Sequence, residues 1–293
     1  MIRSSFSGRT SLATLTLGLV LTGAALNAQL PLEPPHAGGQ GVTGAFEGWF
    51  KNPDGSFSIL VGYYNRNATE AVDVPIGPNN RIEPGGPDMG QPTHFEPGRQ
   101  WGVVTLKVPA NFGTKKLVWT ITANGKTMAI PVHLNDLWVV QPYLDATDNT
   151  PPWISFDENG KGVQGPPIGI VKTMAATVGE PLTLTAWVAD DVVVPLLGGG
   201  FGRGGGIPVN LSWLKYRGAG EVKFSEAKPR AEKIDAKGDP KMKFTGKATT
   251  TATFSAPGDY VLEAVLTDNS GAGGGGFQCC WTSAQVKVTV KAK

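Results

Sequence analysis

The chain has 293 residues, with 26 Lys+Arg against 24 Asp+Glu and a formal net charge of +2. That near-balance excludes the basic surplus of a nucleic-acid binder, and Arg3 and Arg9 account for all of it, leaving 24 against 24 beyond residue 28. Gly (40) and Pro (23) cut the sequence into short alternating runs, while 8 Trp and 12 Phe supply core material that disordered chains lack, so an all-β protein of many short strands is expected.

Residues 1–28 read as a secretory signal peptide: a positive start, a mostly apolar run over residues 12–26, and Ala28 as the small residue before Gln29. No later stretch reaches the roughly 18 uninterrupted apolar residues that a membrane helix requires. An exported chain, periplasmic or extracellular and without a transmembrane segment, is therefore expected. Residues 29–44, rich in Pro and Gly, read as a flexible lead-in.

A first β-sandwich is expected over residues 45–144. Strand-like residues 46–51 and 56–65 flank Asn52-Pro53-Asp54-Gly55, which places Pro and Gly as a tight turn needs them. Residues 69–76 form a third candidate strand. Residues 77–100 lack alternation and are dense in Pro and Gly, so they read as a long irregular loop, which in a compact domain is functional or mobile. Strands resume at 101–108 and 116–122, Asn124-Gly125 signals a hairpin into 126–134, and 137–143 is a last candidate. Residues 145–152 read as a linker.

The second domain, residues 153–293, shows period-two apolar sets. Leu182, Leu184, Ala186 and Val188 share one face; Leu211 and Trp213 follow; Val286, Val288 and Val290 close the chain. Between them, TTTATFSAPGDYVLEAVLTD (249–268) reads as two antiparallel strands around a Pro-Gly-Asp corner. Trp213 is expected in the core, and Tyr260 is expected to turn its hydroxyl back onto the preceding backbone.

The succession LTLTAWVADD, VNLSWLKYRGAGEVKF, ATFSAPGDYVLEAVLTD, VKVTV resembles the PKD-like and cadherin-like branch of immunoglobulin-type sandwiches in exported bacterial proteins, across roughly the second half of the mature chain. The resemblance implies adhesion, spacing or substrate contact outside the cell, without catalysis. A glycine-rich insert at 197–206 and a Lys-rich one at 228–247 depart from the pattern. The expected fold is two immunoglobulin-like β-sandwich domains in tandem after a signal peptide.

Asp190, Asp191 and Asp268 end the second and sixth strands of that domain, whose following loops share one tip in this topology. Three carboxylates there offer calcium hard oxygen ligands; the competing reading is that Asp is favoured at strand ends. The same tip gathers a loop holding Phe201 and Arg203 and another holding Phe277, glycine-rich segments that either bind a ligand or stay uncommitted. Trp187 falls opposite Leu184 and Ala186, where it is a candidate for contact with the first domain or with a ligand.

Cys279 and Cys280 are the only cysteines. Their Cα atoms stand about 3.8 Å apart across a trans peptide, below the usual disulfide range, so a vicinal bond needs a distorted turn; free thiols and an intermolecular bond stay open. His36, His94 and His133 are far apart, and His94, in the 77–100 segment, is the first candidate if the chain is catalytic. With no catalytic motif in view, the expected function is a non-enzymatic exported binding or structural module contacting protein or polysaccharide. The rival is a hydrolase or metal-dependent enzyme with its site in residues 77–100 or between the domains.

Overall fold

A computed structural model of the chain describes residues 36–158, 160–193, 207–235, 241–270 and 279–293. The expected signal peptide lies outside the described residues, as do Phe201, Arg203 and Phe277.

The first sandwich opens with β1 (Val42–Lys51), three residues before the position where alternation becomes legible. The turn at Asn52 carries it into β2 (Phe57–Asn65), with Gly55 N donating to Asn52 O at 3.0 Å. Then come β3 (Val72–Asp73), β4 (Asn80–Glu83), β5 (His94–Phe95), β6 (Gly98–Val108), β7 (Lys116–Ala123) and β8 (Lys126–His133). One sheet runs β1-β2-β6, the other β4-β7-β8, and β3 pairs with β5. All of these pairings are antiparallel.

Residues 77–100 are therefore not one irregular loop, because they hold β4, β5 and the start of β6. The strand signal is weak there: only Asn80 and Ile82 point inward on β4, and Pro and Gly crowd both sides. Asn80 behaves as a core residue because its amide is fully used. It donates to Val74 O at 2.9 Å and Pro92 O at 2.7 Å and accepts from Trp119 Nε1 at 2.9 Å. Residues 137–143 also differ from expectation. A 3-10 turn, Asp136–Trp138, is capped by Asn135 and leaves a single bridge from Val139 to Trp49.

The second sandwich contains β9 (Trp153–Ser155), β10 (Ile170–Thr177), β11 (Leu182–Asp190), β12 (Asn210–Arg217), β13 (Val222–Phe224), β14 (Glu232–Lys233), β15 (Phe244–Phe254), β16 (Gly258–Thr267) and β17 (Trp281–Lys291). Its sheets run β10-β17-β16-β12 and β13-β15-β11-β9, with β14 on β15 and β10 parallel to β17. This is the two-sheet arrangement of immunoglobulin-type domains, reached from strand pairing alone. The period-two sets face inward together, and Leu184, Ala186, Trp213, Leu262, Ala264, Val286 and Val288 share one core. At the corner, Tyr260 Oη donates to Ala256 O at 2.8 Å and accepts from Gly220 N at 3.1 Å, as its position in the sequence predicts. Gly218, at φ 139°, lets the chain pass so close to that ring that a Cβ would meet Cδ1 at 2.1 Å.

Residues 35–293 form one compact unit, and the sandwiches dock within it. Tyr216 has the opposite parity to Trp213, so it leaves its own sandwich and is buried in the core of the first. Its hydroxyl donates to Gly90 O, Thr93 N donates to Tyr216 O, and Arg217 grips both Asp88 oxygens at 2.8 and 3.0 Å. Val261 packs against the first core, and Gly102 faces the Trp281 indole with room for no side chain.

Candidate functional site

Asp190, Asp191 and Asp268 meet at one end of the second sandwich, joined there by residues that sequence reasoning missed. Asp145 opens a tight turn, in which its Oδ1 accepts from Thr147 N, Thr147 Oγ1 and Asn149 N, and this turn presses residues 149–150 against the strand ends. Asn149 Nδ2 donates to Asp268 Oδ2 at 2.7 Å, and Thr150 Oγ1 donates to Asp191 Oδ2 at 2.8 Å. Ser270 occupies Asp268 Oδ1 through both its amide and its hydroxyl, and Val192 N donates to Asp190 Oδ2 at 2.9 Å.

Every donor in this set is neutral, so the carboxylates gain hydrogen bonds and no counter-charge. Burial, then the charges of Asp268 and Asp191, push the Asp190 carboxyl up to about 7; burial raises Asp268 as well. Asp190 Oδ1, Asp191 Oδ1 and Asn149 Oδ1 are buried without a hydrogen-bond partner. Those three hard oxygens suit a hard cation, whereas Asp268 has both of its oxygens occupied. Among the described residues no group of three His, Cys, Asp or Glu side chains is placed to hold a metal, so any ligand set here rests on two carboxylates and an amide.

Cys279 and Cys280 are bonded to each other beside this cluster, with Cα atoms 3.5 Å apart and Cys280 at φ 125°. Cys280 Sγ lies 3.4 Å from Asn149 O. A disulfide sulfur carries no hydrogen, so this approach is a packing contact that holds the Asn149 backbone in place. Trp187 stands on the outer face of β11, beside Ser155 and under Lys247, whose ammonium is 5.4 Å from the ring centroid. It belongs to neither hydrophobic core.

His94 lies where the sandwiches dock. Its Nδ1 is 2.8 Å from Asp73 Oδ1 and its Nε2 is 3.4 Å from Glu96 Oε1, while Asp73 also receives Lys215 Nζ at 3.1 Å. Burial opposes a charged ring, but the two carboxylates outweigh it and raise the His94 pKa. Carboxylates thus lie against both imidazole nitrogens and favour the protonated ring. His133 packs edge-on against Phe46, with ring centroids 4.7 Å apart.

A further acid sits deeper in the docked face. Glu263, on β16, is buried beside Tyr63 and Tyr216 with its Oε1 lacking a hydrogen-bond partner, and burial pushes it up to about 8 against an opposing influence of Gln285.

No family model matches the chain, and no curated protein does. Among solved structures it is similar to a tandem of titin Ig domains, at 10% identity over 87% of this chain and 100% of that one, with TM-score 0.20. It is similar to the D00-D0 domain of intimin at 13% identity over 85% and 99%, with TM-score 0.26. For domains 4 and 5 of the S-layer protein SbsC the values are 13%, 64% and 70%, with TM-score 0.23. Scores this low carry no argument, and the immunoglobulin-type assignment rests on the strand pairing.

Proposed function

We propose that the chain is an exported, non-enzymatic binding or structural module, working at the cell envelope or outside the cell, and that its second sandwich belongs to the PKD-like and cadherin-like branch. The observation that carries this reading is the docked face. The outward side of β12, β16 and β17 is spent on the first sandwich, and ion pairs gather there: Asp73 with His94 and Lys215, Asp88 with Arg217. Such a junction fixes the spacing and orientation of two modules. The positive start and apolar run of residues 1–28 support export, as does the oxidised cysteine pair.

Small-angle scattering of the full chain should give the dimensions of docked sandwiches, and Tyr216→Asp should extend them. Extended dimensions in the unaltered chain would remove the basis of the proposal. A broad hydrolase screen addresses the rival, since turnover lost in His94→Ala would make the chain an enzyme.

Calcium at Asp190, Asp191 and Asn149 is part of this reading, supported by their three open oxygens. A site filled in the folded chain alone adds stability as RT ln(1 + [L]/Kd), so millimolar calcium should raise the melting temperature by at least about 2 °C over a chelator control. Asp190→Asn should abolish the rise, and an unmoved midpoint in the unaltered chain removes calcium from the proposal.

A further inference from the structure

We propose that the junction between the two sandwiches is a latch that alkaline solution opens, with the Glu263 carboxyl as its trigger. This rests on the reading of the chain as two docked modules and gives their junction a control.

On the paired strands β16 and β17, Leu262, Ala264, Val286 and Val288 fill the second core, so Val261, Glu263, Trp281 and Gln285 turn to the opposite side. That side meets the first sandwich: Val261 packs on its core, and Gly102 lies against the Trp281 indole. Glu263 and Trp281 are both buried there, and Glu263 Oε1 and Trp281 Nε1 have no hydrogen-bond partner. Water satisfies both atoms once the sandwiches part, so each weighs against docking, while the apolar burial of Tyr216 and Val261 holds the junction closed.

Of the two, only the carboxyl can change its charge. Tyr63 faces it from the first sandwich, and Tyr216 and Gln285 face it from β12 and β17. None of these is a cation. The basic side chains of the flanking strands are taken elsewhere: Lys215 by Asp73, Arg217 by Asp88 and Lys287 by Asp259. On the first sandwich Arg99 is held by Glu47, and His94 by Asp73 and Glu96. Glu96 adds a further negative charge beside Tyr63. A neutral carboxyl is tolerated in such a place, but a carboxylate buried without a counter-charge is costly.

Burial holds the Glu263 proton up to about 8, against an ordinary 4.5 in water, so parting the sandwiches releases that proton between those values. Through this group docking has its full strength below pH 4.5, weakens about tenfold per pH unit above it, and is weakest once pH has passed 8. Tyr63 and Tyr216, whose hydroxyls burial pushes well above their ordinary 10, stay neutral over that range.

Small-angle scattering and far-UV circular dichroism of the full chain, from about pH 6 to about pH 9.5 at fixed ionic strength, test the proposal. The chain should have docked dimensions at the acid end and lengthen between about pH 7 and about pH 9 with its strand signal intact. Glu263→Gln keeps the shape and cannot ionise, so it should stay docked throughout. Glu263→Met should do the same without a polar group, and it decides the matter if Glu263→Gln fails to fold. Glu47, His94 and Asp190 titrate in all three chains, so a change owed to them survives both substitutions.

Docked dimensions at both ends of the range overturn the proposal. So does lengthening that either folded variant retains, because another group is then the trigger, or lengthening that comes only with loss of the strand signal, because that is unfolding. Extended dimensions already at about pH 6 remove the docked module and this latch with it, so that failure is distinguishable from failure of the latch alone.

Discussion

Tyr216 of the second sandwich completes the core of the first, with its ring 3% exposed there and its hydroxyl 2.6 Å from Gly90 O. One side chain thereby ties the stability of each sandwich to the presence of the other.

Tyr216→Ala removes a large buried ring and is expected to cost about 3–5 kcal/mol, while Tyr216→Phe removes one hydrogen bond and should cost about 1 kcal/mol. Urea unfolding followed by tryptophan fluorescence measures both. Equal costs for the two variants would mean that the ring itself contributes little.

Stability should fall as the solution becomes alkaline. The folded pKa of Glu263 is pushed up to about 8 from an ordinary 4.5, so the folded chain holds a proton that the unfolded chain releases between those values. The contribution is complete below pH 4.5 and lost as pH rises through 8. Asp190, raised to about 7 from 3.8, adds to the same trend over its lower window. Melting curves from pH 5 to 9 should decline, and Glu263→Gln should flatten the part nearest pH 8.

At the corner, Gly218→Ala places a Cβ against the Tyr260 ring in a backbone conformation that L side chains rarely adopt. Over-packing and strain together should cost more than about 3 kcal/mol, against about 2 kcal/mol for Tyr260→Phe, which loses only the two corner hydrogen bonds. Denaturant midpoints of the two variants check the order.

Cys279 and Cys280 are each 1% exposed. With reductant present, maleimide should label them at least tenfold more slowly in native buffer than in urea, because opening must precede attack. Without reductant, neither condition should give labelling. Intact mass reads both results.

The inward faces were legible because their pattern is strict: Tyr260, Leu262, Ala264 and Leu266 recur at period two and share one core. The docked face left a fainter trace in the same strand. Val261 and Val265 make YVLEAVLT apolar on both sides, the pattern of a strand covered twice, interrupted by Glu263 alone. Asn80 escaped notice because an amide carries no hydropathy signal, and its role appears only once Val74, Pro92 and Trp119 surround it. At the acidic cluster, strand order placed Asp190, Asp191 and Asp268 together. Asn149 and Thr150 belonged to a segment read as a linker, and their involvement depends on a turn fixed by Asp145, a purely three-dimensional relationship.

Gly102 sits at φ 53° with the Trp281 indole where its side chain would be, a Cβ there falling 2.7 Å from Cζ2. A single hydrogen atom thus acts as the shim between two bodies. Alanine, serine and valine at this position form a graded set of thicker shims, by which the gap could be opened in steps with every residue of the acidic cluster left untouched.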